Sequence, residues 1–219
     1  MKFIAIIILV VIGLLDIGVQ GNVVTRNISD QSATKRNESL SLFNAIKSGK
    51  TDKVISLIES GVNMNAFNKK VSDYTPLALA IIEGKTMIVK TLIEHGVNVT
   101  AKHEGDGYQP IHWAALIGSK EYCERLIERG ANVNERDNTN VTPLMAAALN
   151  GNEKLVEYLI ERGADVNAKN EKNWSAHTYA FYTSKEAAKQ VLVNHGADVD
   201  ITKKAMDELK QLITGHNIE

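Results

Sequence analysis

The feature that most constrains the fold of this chain is a glycine that returns at nearly constant intervals. Gly61, Gly96, Gly130, Gly163 and Gly196 follow one another at spacings of 35, 34, 33 and 33 residues. Each comes twelve residues after an equivalent small residue, namely Gly49, Gly84, Gly118, Gly151 and Ser184. Because a glycine in the left-handed conformation often ends a helix, the constant segment between these positions predicts a helix in each copy. Internal periodicity of this length indicates a stacked repeat protein.

The residues upstream of this segment carry the signals that begin another helix. In Thr75–Leu77 and Thr142–Leu144 the threonine is a good N-cap, and the proline after it takes the first helical position, where its missing N–H costs nothing. Two residues before the cap stand Asp73, Gly107, Asn140 and Asn173, which are residue types that tolerate positive φ. We therefore expect each repeat to contain a tight turn, a helix, a second turn and a second helix. Alternating residues such as Ala164–Asn167 predict a short extended arm after it.

The apolar residues recur in columns that match this arrangement. The second helix of every copy carries a leucine in one column, namely Leu57, Leu92, Leu126, Leu159 and Leu192. Cys123 falls in the column of Val54, Val89 and Val156, which favours a small buried hydrophobic side chain with an unreactive thiol. One such unit cannot bury its own apolar face, whereas stacked neighbours can.

The motifs TPLA, QPIH and TPLM, followed by GANVN, GADVN and GADVD, resemble the ankyrin repeat. The resemblance implies an all-α fold, an ankyrin-repeat solenoid of about five helix-turn-helix repeats with short hairpin-like loops. The copies cover about residues 39–69, 70–104, 105–137, 138–170 and 171–203. The first copy lacks the Thr-Pro cap and the fifth lacks the proline, as terminal repeats commonly do. Residues 204–219 are predicted to form a C-terminal capping helix.

The N-terminal sequence differs in composition from the repeats. Residues 1–15, MKFIAIIILVVIGLL, have one Lys and then thirteen residues without a polar side chain. As a helix these thirteen would span roughly 20 Å, which is shorter than a hydrocarbon core of about 30 Å. With small residues at Val19 and Gly21, the pattern predicts a signal peptide over residues 1–21. The alternative is an uncleaved membrane anchor. Residues 22–38 are polar and aperiodic, which predicts a flexible leader.

Composition and motifs argue against several kinds of chemistry. A formal net charge of −1 gives no field that would attract nucleic acid. The single cysteine cannot form an internal disulfide, and the six histidines include no metal-binding pair on a helix face. We therefore expect no enzyme, no cofactor and no metal site. His112 fills the histidine position of the ankyrin motif, where the resemblance implies hydrogen bonds between loops.

Five Asn-x-Ser/Thr sequons make glycosylation a further expectation. They begin at Asn27, Asn37, Asn98, Asn140 and Asn173. Thr142 and Ser175 also occupy the helix-cap position, so two of the sequons have a structural explanation. Asn27 and Asn37 are the better candidates if the chain enters the secretory pathway.

The resemblance also implies binding of a protein partner at a concave face built from first helices and loop tips. The residues we predict for that surface are Tyr74, Leu79, Tyr108, Trp113, Trp174 and Tyr179. The alternative is that these rings pack between adjacent loops. The function expected is a secreted, non-catalytic protein-binding protein. Other interpretations are a membrane-tethered ankyrin scaffold, or a secreted effector or venom-like component, since large spider toxins carry long ankyrin arrays.

Overall fold

The computed structural model of the 219-residue chain describes residues 30–66 and 74–199. The chain divides into two compact units, Met1–Ala33 and Thr34–Glu219, and nearly all described residues belong to the second. The predicted signal peptide over residues 1–21, residues 22–29 of the leader and the predicted capping helix over residues 204–219 lie outside the described residues.

The described part of the chain contains ten helices and no strand, which confirms the predicted all-α repeat architecture. The helices are α1 Asp30–Lys47, α2 Thr51–Glu59, α3 Pro76–Ile82, α4 Thr86–Glu94, α5 Pro110–Leu116, α6 Lys120–Glu128, α7 Pro143–Asn150, α8 Glu153–Glu161, α9 Ala176–Tyr182 and α10 Glu186–Asn194. They form five consecutive pairs. From α3 to α9 the first helices of neighbouring repeats pack on one another, and the second helices do the same from α2 to α10.

Helix α1 differs from the prediction at its start. We expected a flexible leader over residues 22–38, but α1 begins at Asp30, so residues 30–38 are helical. The physical reason is that no Pro or Gly interrupts the chain between Asp30 and Lys47. Leu42, Phe43 and Ile46 are fully buried and anchor the helix. Once nucleated there, it can extend through the polar residues upstream at little cost.

The predicted helix starts are confirmed in atomic detail. The Thr75 hydroxyl oxygen accepts a hydrogen bond from the Ala78 N–H at 3.1 Å, and the Thr142 hydroxyl oxygen accepts from Met145 at 3.4 Å. Proline is the first residue of α3, α5 and α7. The fifth repeat has no proline, and the Ser175 hydroxyl caps its first helix instead by accepting from the Thr178 N–H.

The turns between helices adopt positive φ at the positions that the repeat predicts. Asn140 and Asn173 have φ values of 63° and 62°, and Ser184 takes the glycine position with φ of 55°. Gly107 has φ of 77°, and a Cβ added there would lie 2.9 Å from the backbone nitrogen of Asn138. This close approach is needed because Asn138 donates its N–H to the Asp106 carbonyl at 2.9 Å, which joins the loops of two repeats.

The core follows the predicted columns. The leucines at positions 57, 92, 126, 159 and 192 are all buried, as are Cys123 and the three valines of its column. Burying one such side chain stabilises the fold by about 1.5–3 kcal/mol, and the leucine column continues across all five repeats.

The predicted extended arm after each second helix is a turn in the structure. Asn134 donates its N–H to the Asn132 side-chain oxygen at 3.0 Å, and Asn167 does the same to Asp165 at 3.0 Å. An Asn or Asp side chain can replace a backbone acceptor two residues away, and this local bond bends the chain. A hairpin-like loop follows, as expected. In repeat 4 it is closed by the Asp137 N–H, which donates to the Val141 carbonyl at 3.1 Å.

Candidate functional site

Aromatic rings of repeats 2 and 3 form one cluster beside the first helices. We call this group, comprising Tyr74, His103, Tyr108, His112 and Trp113, the repeat-3 aromatic cluster. Tyr74 meets Trp113 edge-on with ring centroids 5.2 Å apart, and Tyr108 lies 4.8 Å from the same ring. His103 and His112 stack on the two tyrosines at 5.3 and 5.1 Å. These are the separations at which aromatic pairs stabilise each other beyond the burial of their area.

A second group of rings lies in repeat 5. The repeat-5 aromatic cluster comprises Trp174, Tyr179, Phe181 and Tyr182. Trp174 stacks on Tyr182 with centroids 5.0 Å apart and meets Tyr179 edge-on at 5.6 Å. The Tyr179 hydroxyl accepts a hydrogen bond from the Asn170 side-chain amide at 3.0 Å, which fixes the ring against its own hairpin.

Asp137 stands at the end of repeat 3, and its charge acts on one tyrosine of each cluster. Its Oδ1 accepts hydrogen bonds from the Thr139 and Val141 N–H groups at 2.8 and 2.7 Å, so its buried carboxylate is satisfied by the backbone. Burial raises the pKa of both Tyr108 and Tyr179, and the Asp137 charge raises each of them further. Tyr179 makes the smallest of the electrostatic contributions that raise the pKa of Tyr108.

Repeat 4 carries no ring in the columns that hold the two clusters. In the columns that hold Tyr108 and Trp113 in repeat 3, and Trp174 and Tyr179 in repeat 5, repeat 4 has Val141 and Ala146. We call the two clusters together, whose rings come from repeats 2, 3 and 5, the apolar band.

The six residues predicted for partner binding are exposed to different extents. Leu79, Tyr108, Trp113 and Tyr179 are buried, with exposed fractions of 4%, 4%, 8% and 9%. Tyr74 and Trp174 are half-buried. For the buried rings, the structure matches the alternative in which they pack between adjacent loops. They offer little area to a partner but hold the half-buried rings in place.

Tyr182 is a half-buried member of the band that our sequence reasoning missed. It stands three residues after Tyr179, on the same face of α9, so helical spacing could have indicated it. Its stacking on Trp174 depends on how the hairpin folds back over the helix, and no local pattern specifies that.

His112 connects two repeats in the way that the sequence resemblance implied. Its Nδ1 accepts a hydrogen bond from the Gln109 N–H at 3.1 Å, so the proton is on Nε2. Nε2 lies 3.2 Å from the carbonyl oxygens of both Glu135 and Val141 in the next hairpin. Burial lowers the pKa of His112, and Asp137 with the two carbonyls opposes that shift without reversing it.

Cys123 is buried and has no disulfide partner. Burial raises the pKa of the Cys123 thiol to about 12, so the reactive thiolate is scarce at neutral pH. Among residues 30–66 and 74–199, no group of three or more His, Cys, Asp or Glu could hold a metal ion. No helix within those ranges is both long enough and apolar enough to cross a membrane.

The sequons also differ in their surroundings. Asn98, Asn140 and Asn173 are exposed. The hydroxyl residues of the last two sequons, Thr142 and Ser175, are 2% exposed and serve as helix caps. Asn27 lies outside the described residues, and Asn37 lies within α1.

Comparison with protein families gives one finding. A model described as ankyrin repeats (3 copies) matches residues 15–103, 42–137, 98–170 and 136–203. The matched segments overlap and together extend over most of the chain. No curated protein matches the sequence.

Proposed function

The chain belongs to the ankyrin-repeat family, and we propose that it is a secreted, non-catalytic protein that binds a protein partner through the face carrying the apolar band. Repeats of this family form scaffolds for contacts between proteins. The band is the surface of the described residues on which large rings are concentrated.

The observation that carries the proposal is the support that buried rings give to half-buried ones. Tyr74 rests on Trp113, and Trp174 rests on Tyr179 and Tyr182. A ring that is already fixed loses little conformational freedom when a partner covers it, so more of the contact energy remains as affinity. We therefore assign the contact to Tyr74, Trp174 and Tyr182, and a supporting role to Trp113 and Tyr179.

Photocrosslinking tests this face. A photoreactive amino acid at position 174 or 182 should trap the same partner protein, whereas the same group at Glu157 should trap none. Glu157 is an exposed residue of α8, a second helix, and is the matched control. Equal trapping from all three positions, or trapping from position 157 alone, would refute the assignment.

Affinity measurements with the trapped partner then rank the residues. Replacing one interface ring by alanine commonly costs about 1–2 kcal/mol, so Trp174→Ala should raise Kd roughly 5- to 30-fold. Glu157→Ala should leave Kd unchanged. Circular dichroism of both variants would show that each is folded.

The proposal of secretion depends on the N-terminal sequence and has its own test. N-terminal sequencing of protein from the culture medium should give a chain that starts near Asn22. An intact Met1 in the membrane fraction would instead support the tethered scaffold. If the chain is secreted, an effector or venom-like role is a narrower form of the same proposal.

A further inference from the structure

An asparagine near the end of the repeat joins successive repeats through backbone hydrogen bonds. The Asn134 side chain donates to the Gly163 carbonyl at 2.8 Å and accepts from the Asp165 N–H at 2.8 Å. The Asn167 side chain makes the same two bonds to Gly196 and Asp198 at 3.0 and 2.8 Å. We call this series, which includes Asn65, the asparagine ladder.

The ladder begins in repeat 1. The Asn65 side-chain oxygen accepts a hydrogen bond from the Asn98 N–H at 2.8 Å. This bond fixes the backbone of Asn98 at the turn after helix α4.

Repeat 2 interrupts the ladder, because the equivalent position holds Thr100. The Thr100 N–H and its hydroxyl both donate to the Asn98 side-chain oxygen, each at 2.9 Å. Within the described residues, Thr100 makes no hydrogen bond to repeat 3. Thr100, at the position that would join repeats 2 and 3, therefore forms its hydrogen bonds within its own loop.

The substitution that interrupts the ladder also creates the sequon Asn98-Val99-Thr100. The two other sequons in the described repeats need their hydroxyl residue for the fold, since Thr142 and Ser175 are buried helix caps. Thr100 is exposed and caps no helix. The hydroxyl of each of those two sequons is needed as a helix cap, whereas the Thr100 hydroxyl, among the described residues, bonds only the side chain of the sequon's own Asn98.

Asn98 itself is suitably placed to carry a modification. Its side chain is exposed, and its oxygen is held by Thr100. Within the described ranges the Nδ2 amide of Asn98 donates no hydrogen bond. A group attached to Nδ2 would therefore break no hydrogen bond of the folded repeat.

From these observations we propose that Asn98 is an N-glycosylation acceptor of the translocated chain. The donor is an oligosaccharide linked to a lipid pyrophosphate. Nδ2 bonds to C1 of the first sugar, the C1–O bond to the pyrophosphate breaks, and the lipid pyrophosphate leaves with that electron pair. The proton lost from Nδ2 goes to a base of the transferase, and nothing is oxidised or reduced. The proposal rests on the proposed secretion, because the donor and transferase are found in the secretory pathway.

Translation of the full chain with microsomes tests the site. The parent chain should gain mass increments that an N-glycan amidase removes. Asn98→Gln and Thr100→Asn should each lose one increment, and Thr100→Ser should keep it at equal or lower occupancy. Asn140→Gln is the matched control, and it should keep the increment assigned to Asn98. Thr100→Asn removes the sequon while restoring the ladder residue, so a loss in this variant does not come from misfolding.

A second version of the chain, in which a cleavable signal peptide of known activity replaces residues 1–21, separates the two proposals. Protection from added protease reports translocation of either version. If only the replaced version is protected and loses an increment with Asn98→Gln, the proposed secretion fails and the Asn98 site stands. If a protected chain gives the same pattern with and without Asn98→Gln, the Asn98 site is refuted and secretion is unaffected.

Discussion

The junction between repeats 2 and 3 and the junction between repeats 3 and 4 bring equivalent helices together but differ in their side-chain contacts. Between repeats 2 and 3, Tyr74 packs on Trp113. On the second helices, Arg129 donates to the Ile93 carbonyl at 2.6 Å. The ladder position of this junction is Thr100, which makes no bond across it within the described residues.

The junction between repeats 3 and 4 is instead rich in hydrogen bonds to the backbone. Asn134 and His112 each contact two backbone groups of the following loop, as described above. The side-chain amides of Asn150 and Asn152 donate to the Leu116 and Gly118 carbonyls at 3.1 and 2.7 Å.

The comparison shows that the repeat specifies which helices pack together but not which side-chain contacts join neighbouring repeats. In a stacked array each repeat contacts only its neighbours, so the stability of one junction can change without altering the others. We therefore expect substitutions at ring positions to weaken the junction of repeats 2 and 3, and substitutions at the asparagines to weaken the later ones.

Trp113→Ala should have the largest effect. It removes a buried ring that both Tyr74 and Tyr108 contact, and such truncations cost about 3–5 kcal/mol. Urea denaturation followed by far-UV circular dichroism would measure the loss. Trp174→Ala, at a half-buried ring, should cost less. A Trp113→Ala variant as stable as Trp174→Ala would show that the ring contacts do not hold repeats 2 and 3 together.

Asn134→Ala should have a smaller effect that is confined to the later junction. It removes two exposed hydrogen bonds to the backbone, each contributing about 0.5–1.5 kcal/mol at most, and water can replace part of them. Hydrogen exchange should become faster at the Asp165 amide. Asn65→Ala is a control for the position, and it should release the Asn98 amide instead. Unchanged exchange at both amides would exclude a stabilising role for the ladder.

Thr100→Asn should extend the ladder and stabilise the chain by about 0.5–1 kcal/mol. By analogy with Asn134, the new side chain can bond the Gly130 carbonyl and the Asn132 N–H. Denaturation of unglycosylated protein would measure the gain, and slower exchange at the Asn132 amide would locate it. Thr100→Ala, which cannot make these bonds, should give no gain. Equal stability of Thr100→Asn and Thr100→Ala would contradict the prediction.

Lowering the pH should give the smallest of the four changes. Burial lowers the pKa of His112 and of His177, so below the ordinary pKa of about 6.5 the unfolded chain binds protons that the folded chain does not. These histidines leave stability unaffected above that pH and reduce it as the pH falls further. For His112, Asp137 and two carbonyls limit the shift.

Denaturation midpoints at pH 7.5, 6.5 and 5.5 would show this decline. His112→Gln should be less stable at every pH but should lose part of the dependence on pH. The same decline in His112→Gln as in the parent chain would place the sensitivity elsewhere than in the junction of repeats 3 and 4.

The sequence predicted the helix starts and the turns of this fold well, because both depend on interactions within a few residues. A threonine before a proline begins a helix through bonds made within one turn, and a glycine or asparagine adopts positive φ for reasons of its own side chain. The leucine column was predicted equally well, since a side chain at a fixed helical position packs against equivalent neighbours in every copy. The start of α1 was predicted less well. Its polar residues are helical because Leu42, Phe43 and Ile46 anchor the helix, and a composition argument over residues 22–38 does not include them.

The sequence by itself determined the number of repeats, the positions of their helix caps and turns, and the leucine column, since all of these recur with the period. Only the tertiary structure decided which rings of the apolar band are exposed and what Thr100 does. Both depend on contacts that differ between non-identical repeats, several of them between residues 31 to 39 positions apart. The Trp113 ring is buried because Tyr74 and Tyr108 cover it, and Thr100 marks an interruption only once the bonds of Asn134 and Asn167 are seen. The repeat pattern determines the structural features that all copies share. The role of a residue that differs between copies depends on the neighbouring residues against which it packs.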